Sequence, residues 1–198
     1  MDALRDNNIN LIGVWGMGGV GKTTLVKQVA QQAKQQHLFT TQVYIDLSSI
    51  PDSQKLRQKI ANALAFTLWE QNESRKADQL KKRLKERKIL IILDDIWREV
   101  NLEEVGIPSE SDEKQFKIVL ASRHGDLLCK DMGAQICFPV EYLPPEEAWS
   151  FFMKTAGDSV EENLQLRPIA IQVVEECEGL PIAIVTIANS LKDENVDV

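Results

Sequence analysis

The chain has 198 residues, of which 43% are hydrophobic and 27% are charged, and its formal net charge at pH 7 is −7. This length and composition are typical of a globular protein with one sizeable core and room for a small additional unit. The acidic balance disfavours a broad nucleic-acid-binding surface, which normally carries an excess of lysine and arginine. We therefore expect no nucleic-acid partner.

The cysteines and the hydropathy pattern indicate the cellular compartment in which the protein is expected. Cys129, Cys137 and Cys177 lack metal-ligand spacing, and their odd number does not indicate a disulfide framework. Because disulfides are rare in reducing compartments, this favours an intracellular protein. No apolar run approaches the ~18 residues of a membrane span, and the N-terminus has no signal-peptide pattern. The sequence predicts a cytoplasmic protein without a membrane span.

Five apolar runs predict strands, and the segments between them predict helices. Several of the runs are apolar at consecutive positions, which is typical of strands buried on both faces of a parallel sheet. The predicted strands are residues 9–15, 42–47, 88–93, 116–122 and 136–140, and the predicted helices are 22–36, 52–70 and 74–87. This alternation predicts an α/β fold in which a parallel sheet of about five strands is flanked by helices.

After about residue 140 the pattern becomes entirely helical. Helices are predicted over 144–156, 159–178 and 180–192, and the first of them opens with two prolines and acidic residues, as at a helix N-terminus. The polar end of the chain, 192–198, is expected to fray. We therefore predict a domain over residues 1–141 and a small all-α subdomain over residues 142–198.

Residues 16–24, GMGGVGKTT, match the Walker A pattern between a predicted strand and a predicted helix. In that setting glycines let successive backbone N–H groups converge on a phosphate, and the helix N-terminus adds partial positive charge. Lys22 is expected to reach the β- and γ-phosphates, and the Thr23 hydroxyl is expected to coordinate Mg²⁺. The alternative interpretation is a glycine-rich strand–helix turn without a ligand.

Two aspartates follow the apolar run KILIIL. Asp94 and Asp95 come where a buried strand is expected to end, at the carboxyl edge of the sheet beside the phosphate loop. Asp94 is expected to hold Mg²⁺ directly or through water, and Asp95 to orient an attacking water. Buried strands also often end in aspartate at a turn, so the Walker A match is what favours the functional interpretation.

Arg123 directly follows the predicted strand 116–122. An arginine there can reach a terminal phosphate and distinguish ATP from ADP through charge-assisted hydrogen bonds. A surface arginine paired with a neighbouring acid fits the spacing equally well.

Five motifs occur in the order found in NB-ARC domains of plant intracellular immune receptors: GMGGVGKTT, KILIILDDIW, KIVLASR, YLPPEEAWSFFMKTAG and CEGLPIAI. The LDDIW form, with Trp97 after the acidic pair, is most similar to the coiled-coil class of nucleotide-binding leucine-rich-repeat disease resistance receptors. The resemblance spans about residues 9–192 and implies a P-loop NTPase of the signal-transducing type. Members of this family are inactive with ADP bound, and exchange for ATP accompanies activation and oligomerisation. The resemblance therefore implies a switch in which ATP hydrolysis is slow or negligible.

The resemblance also implies a site for ADP or ATP with Mg²⁺. Thr23 and Asp94 would serve the metal, Asp95 would serve hydrolysis, and Arg123 would sense the γ-phosphate. Pro181 of GLPIA would lie against the adenine, although from the residues alone Gly179 and Pro181 indicate only a helix break. The phosphates would lie at Gly18, Gly19, Val20, Gly21, Lys22, Thr23 and Thr24.

The sequence departs from the family in several motifs. It lacks the second helical module with its Met-His-Asp motif, the upstream glycine–arginine motif, the coiled coil and the leucine-rich repeats. It therefore resembles a fragment with the nucleotide-binding and first helical subdomains. The implied partners are the coiled-coil and leucine-rich-repeat regions of a full-length receptor and other copies of the chain in an active homo-oligomer.

Two other functions remain compatible with the residues. A phosphoryl-transfer enzyme with real turnover, either an ATPase or a small-molecule kinase, fits the P-loop and Asp95, but the C-terminal part offers no evident acceptor pocket or arginine-rich lid. A protein-interaction module with a structural nucleotide also fits. A GTPase is disfavoured because the sequence has no N-K-x-D element.

Overall fold

The computed structural model describes residues 1–49, 52–108, 116–157 and 166–192. The chain forms two compact units. One comprises Met1–Gly16 and Lys22–Pro139, and the other comprises Met17–Gly21 and Val140–Val198. The start of the helix predicted over 159–178 and the tail 193–198 lie outside the described residues. The domain boundary near residue 141 stays a prediction.

The first unit contains a parallel five-stranded sheet with the strand order β2-β3-β4-β1-β5. Each neighbouring pair of strands is parallel, so all carboxyl ends lie at one edge of the sheet. Strand β4 lies between β1 and β3. The predicted fold class is therefore confirmed. The strands are β1 (Leu11–Trp15), β2 (Thr41–Asp46), β3 (Ile89–Ile96), β4 (Phe116–Ser122) and β5 (Ile136–Pro139).

Helices cover both faces of this sheet. They are α1 (Asp2–Arg5), α2 (Lys22–Gln35), α3 (Ser53–Ala63), α4 (Glu73–Lys85) and α5 (Leu102–Val105), with a π-helical turn at Leu127–Asp131. On one face, fully buried residues such as Ile60 of α3 and Leu84 of α4 join the same core cluster as Ile91 of β3. Helix α2 packs against β1, β3 and β4. Burial on both faces explains why β3 and β4 are apolar at consecutive positions.

Strand β4 carries one buried charge, Lys117, which is 3% exposed. Its ammonium donates hydrogen bonds to the backbone carbonyls of Asp6 and Ile9. Burial lowers the pKa of Lys117, and the Asp6 carboxylate opposes this shift. The lysine therefore ties the N-terminal segment to the sheet.

Helix α3 ends at Ala63, well before the predicted end at residue 70. The backbone N–H of Phe66 donates to the carbonyl of Ala61 at 2.9 Å, and that of Ala65 donates to Asn62 at 3.0 Å. Ala65 has a φ of 50°, which completes a Schellman motif. The predicted end was wrong because this helix stop uses alanine where a glycine would have marked it.

The cysteine pattern does not indicate a disulfide framework, but the structure contains a disulfide, so the cysteines no longer favour a reducing compartment. Cys129 and Cys137 are joined by a disulfide across a sequence separation of 8, and Cys177 is free and buried. The partners lie on the π-helical turn and on β5, which pack against each other. Because the fold brings them together, the odd cysteine count alone did not reveal the pair.

Among the residues of the second unit that the structure describes, three helices are present: α6 (Pro145–Ala156), α7 (Leu166–Glu176) and α8 (Pro181–Lys192). The predicted C-terminal helices are therefore present. Their core consists of small and apolar residues: Ala148, Phe152, Ala156, Ala170, Val174, Cys177, Ile184 and Ala188.

The turn between α7 and α8 needs its glycine. Gly179 has a φ of 73°, and its carbonyl accepts a hydrogen bond from the Leu143 N–H at 2.9 Å. A β-carbon at this position would lie 2.1 Å from the Leu143 carbonyl oxygen. The glycine of GLPIA is therefore required by a close approach between two backbone segments.

We predict that Gly179→Ala destabilises the protein more than Gly133→Ala. The two positions have φ values of 73° and 68°, so both variants should lose about 1–2 kcal/mol from backbone strain. No described atom lies within 4 Å of a β-carbon built at Gly133, whereas Gly179→Ala must also displace Leu143 and should lose about 2 kcal/mol more. Urea denaturation of both variants measures this, and equal losses would contradict the assignment.

A second prediction concerns the pH dependence of stability at Lys117. Because its folded-state pKa is below the ordinary 10.5, the unfolded chain binds more protons in the window below 10.5. The free energy of unfolding therefore rises with pH across that window. Above the window the lysine is neutral in both states, so burying it no longer carries the cost of a buried charge.

Compared with Lys117→Met, the parent protein should therefore gain stability as the pH is raised from 7 toward ~10.5. Urea denaturation at several pH values gives the difference. Lys81→Met, which removes a charge from an exposed position on α4, corrects for the change in overall charge. A difference that is constant with pH would show that Lys117 has an ordinary pKa.

Candidate functional site

The phosphate loop joins the end of β1 at Trp15 to the start of α2 at Lys22. Its tip, Met17–Gly21, belongs to the second unit. Gly19 and Gly21 have φ values of 82° and 100°, a backbone conformation that side chains disfavour. The predicted cradle thus has glycine at its two left-handed positions.

The loop tip contacts the start of helix α8 within the second unit. The Ile182 N–H donates to the Gly19 carbonyl at 3.3 Å, and a β-carbon at Gly19 would lie 2.4 Å from Ile182 Cγ2. Pro181 is the first residue of α8. The GLPIA segment therefore reaches the loop through Ile182.

Asp94 accepts three hydrogen bonds at the site. It is 3% exposed, and its Oδ2 accepts hydrogen bonds from the Thr23 hydroxyl at 2.7 Å and the Tyr44 hydroxyl at 2.6 Å. Its Oδ1 accepts the Asp95 N–H at 2.9 Å. Burial, followed by the hydrogen bond to Asp94, raises the pKa of Tyr44, so the tyrosine keeps its proton and donates. The carboxylate thus links α2, β2 and β3.

The end of β3 is irregular where these aspartates lie. The strand runs to Ile96 rather than to residue 93, with a register shift between Leu93 and Ile96 in its pairing with β4. Asp95 has a φ of 56°, which is uncommon for a residue other than glycine. Such a bulge redirects side chains at the end of a strand. It explains how two consecutive aspartates lie within a mostly buried strand.

Two cations lie near the aspartates. The Lys22 ammonium donates to the Gly16 carbonyl at 2.7 Å. Burial lowers the pKa of Lys22 most, the Arg123 charge lowers it further, and Asp94 and Asp95 raise it. The Arg123 guanidinium lies 4.6 Å from the centroid of the exposed Trp97 ring. An anion bound here would favour the charged form of Lys22.

The structure brings together five predicted residues of the first unit at the carboxyl edge of the sheet: Lys22, Thr23, Asp94, Asp95 and Arg123. Gly18, Gly19, Val20, Gly21 and Pro181 belong to the second unit, and Thr24 is exposed in the first turn of α2. Their binding roles stay predictions. Sequence reasoning missed Tyr44, since no motif marks it. The only signal was a polar hydroxyl between the buried residues Val43 and Ile45.

These side chains fit a magnesium–nucleotide complex. Mg²⁺ prefers oxygen ligands and is usually held by one or two carboxylates together with substrate phosphates. The contacting Thr23 hydroxyl and Asp94 carboxylate supply protein oxygens. Lys22 supplies a positive charge beside them for a phosphate.

A parallel sheet with a glycine-rich loop after β1, and a carboxylate at the end of β3 bonded to the first-turn threonine, defines the P-loop NTPase fold. The model of the NB-ARC domain matches residues 1–162. The chain therefore belongs to the NB-ARC family, as the ordered motifs predicted.

The chain is similar to plant disease resistance proteins. It is 37% identical over 196 residues to disease resistance protein At4g27190 of Arabidopsis thaliana, covering 96% of this chain and 20% of that protein. It is 33% identical over 198 residues to probable disease resistance protein At1g61300 of Arabidopsis thaliana, covering 98% and 26%. The chain thus spans about a fifth to a quarter of the length of these relatives.

Solved structures share the fold at low identity. A signal transduction ATPase with numerous domains and a tetratricopeptide repeat sensor, from Pyrococcus horikoshii, matches all of this chain and 30% of its own, with a TM-score of 0.62 and 16% identity. The ORC1 protein of Aeropyrum pernix in complex with DNA matches 99% of this chain and 59% of its own, with a TM-score of 0.59 and 12% identity. Within the described part of the chain, no helix is long and apolar enough to cross a membrane.

Proposed function

We propose that this chain is the adenine-nucleotide switch module of a plant intracellular immune receptor, off with ADP and on with ATP, with slow or negligible hydrolysis. The observation that carries the proposal is the 2.7 Å hydrogen bond between Thr23 and Asp94. It joins the Walker A hydroxyl to the strand-end carboxylate, the two side chains that hold Mg²⁺ in P-loop NTPases. Membership of the NB-ARC family and similarity to disease resistance proteins support the biological role.

In this proposal the phosphates bind at the N-terminus of α2. The backbone N–H groups of Gly18–Gly21 and the helix terminus face the phosphate oxygens. Lys22 neutralises phosphate charge, and Thr24 extends the polar lining of the first turn. Thr23 and Asp94 hold Mg²⁺, which when bound neutralises charge on the β- and γ-phosphate oxygens.

Three further residues have separate roles in the proposal. Asp95, half-buried at the irregular end of β3, orients a water for the slow hydrolysis of ATP. Arg123 contacts the γ-phosphate, so it distinguishes ATP from ADP. Pro181 lies against the adenine.

The setting of the module is part of the same proposal. It works in the cytoplasm, next to the coiled-coil and leucine-rich-repeat regions of a full-length receptor, and it forms homo-oligomers when ATP is bound. The bound nucleotide, ADP or ATP, sets the state of the switch.

The direct test identifies the nucleotide. Chromatography of what the purified protein releases on denaturation should show ADP, and added ADP should bind to stripped protein. Lys22→Ala should weaken ADP binding about 10- to 100-fold, since it removes a charge-assisted hydrogen bond to phosphate. Lys34→Ala, an exposed change near the other end of α2, is the control.

Folded protein that neither carries nor binds adenine nucleotide would overturn the proposal.

The rate of ATP turnover separates a switch from an enzyme. We expect steady-state ATP hydrolysis far below the ~1–100 s⁻¹ typical of kinases, and a rate in that range would favour phosphoryl transfer instead.

We also predict that Arg123→Ala weakens ATP binding about 10-fold while ADP binding changes little, because only ATP carries the γ-phosphate. Calorimetry with ADP and with ATP measures the two affinities. Arg98→Ala, at an exposed position after β3, is the matched control. Equal losses for both nucleotides would assign Arg123 to packing on Trp97 rather than to sensing.

A further inference from the structure

One carboxylate oxygen of Asp94 accepts hydrogen bonds from two hydroxyl groups. Oδ2 accepts from Tyr44 at 2.6 Å and from Thr23 at 2.7 Å, while Oδ1 accepts the Asp95 N–H. The Walker A pattern accounts for Thr23, and the aspartate pair after the apolar run 88–93 accounts for Asp94. They do not account for Tyr44, which lies on a different strand.

The fold holds Tyr44 in place by two independent means. Strand β2 pairs with β3 so that Tyr44 is opposite Ile92 and Asp46 is opposite Asp94. Val43 and Ile45 point into the core, so alternation along the strand puts Tyr44 on the other face. There the ammonium of Lys27, on α2, lies 4.9 Å from the centroid of the tyrosine ring.

These contacts fix the orientation of the Asp94 carboxylate. A carboxylate oxygen has about two acceptor positions, and the two hydroxyl protons fill those of Oδ2. The Thr23 proton is directed at Asp94, so the lone pairs of the Thr23 oxygen remain for a cation. Without the Tyr44 hydroxyl, one of the three donors that hold this carboxylate is lost.

We propose that Tyr44 is a positioning residue for magnesium, whose hydroxyl orients Asp94 and, through Asp94, the metal-binding oxygen of Thr23. This inference rests on the proposed function, because it concerns the metal that accompanies the nucleotide. Partners of this kind, one step removed from the metal, typically change metal affinity 10- to 100-fold when they are removed.

The test uses Tyr44→Phe, which keeps the ring beneath Lys27 and removes only the hydroxyl. ADP affinity is measured in excess EDTA and in excess Mg²⁺, and the Mg²⁺ midpoint is measured at saturating ADP from the thermal shift. We expect a Mg²⁺ midpoint about 10-fold higher than in the parent, with ADP affinity in EDTA unchanged within about twofold.

Two further variants separate positioning from general support of the fold. Gln42→Ala removes a side-chain hydrogen bond from the same strand to the Ala30 carbonyl of α2, and it should leave the Mg²⁺ midpoint unchanged. In an Asp94→Asn background, Tyr44→Phe should have little additional effect, since the tyrosine acts through that carboxylate.

A Mg²⁺ midpoint equal to that of the parent would overturn the inference. So would a loss of ADP affinity that is the same in EDTA and in Mg²⁺, or a Tyr44→Phe variant that does not fold, since each would make the hydroxyl a structural feature only. If the parent itself binds no adenine nucleotide, the proposed function fails as well. If the parent binds adenine nucleotide and Tyr44→Phe has the same Mg²⁺ midpoint as the parent, only this inference is overturned.

Discussion

The hydrogen bond between Thr23 and Asp94 depends on how α2 and the central strands of the first unit are arranged. For these side chains to meet at 2.7 Å, α2 must begin near the carboxyl end of β3, in a sheet where β4 lies between β1 and β3. Parallel pairing puts the carboxyl ends of all these strands at one edge. A buried carboxylate is costly unless it is hydrogen-bonded, and Asp94 accepts three hydrogen bonds. The sheet therefore stabilises a charge at the place where a metal–phosphate complex would use it.

At this edge of the sheet, the cations Lys22 and Arg123 lie near the carboxylates Asp94 and Asp95. Burial and Arg123 both act against the protonated form of Lys22, and the two aspartates act in its favour. A phosphate bound beside Lys22 would add negative charge and so favour the charged form of the lysine. Trp97 supplies the surface on which the Arg123 guanidinium rests. Such partly conflicting electrostatics are common at functional sites, where stability is sacrificed for binding.

Motifs with fixed spacing and long apolar runs made most of the fold, and the meeting of Thr23 with Asp94, predictable. GMGGVGKTT located the loop and the start of α2, and the apolar run before Asp94 located β3. Features made by tertiary pairing were not predictable. Ala65 ends α3 without the glycine that normally marks such a stop, and the disulfide joins cysteines that only the packed π-helical turn and β5 bring together. Tyr44 was missed for the same reason, since its contact with Asp94 follows from the register between β2 and β3.

A crystal structure of the protein with ADP and Mg²⁺ tests the central claim most directly. The account predicts the β-phosphate in the phosphate loop, with Lys22 against it and Mg²⁺ about 2.1 Å from the Thr23 hydroxyl oxygen. Asp94 should lie next to the metal, either as a ligand or through one water, and should keep its hydrogen bond from Tyr44. A nucleotide bound away from the loop, or a metal that contacts neither Thr23 nor Asp94, would contradict the account.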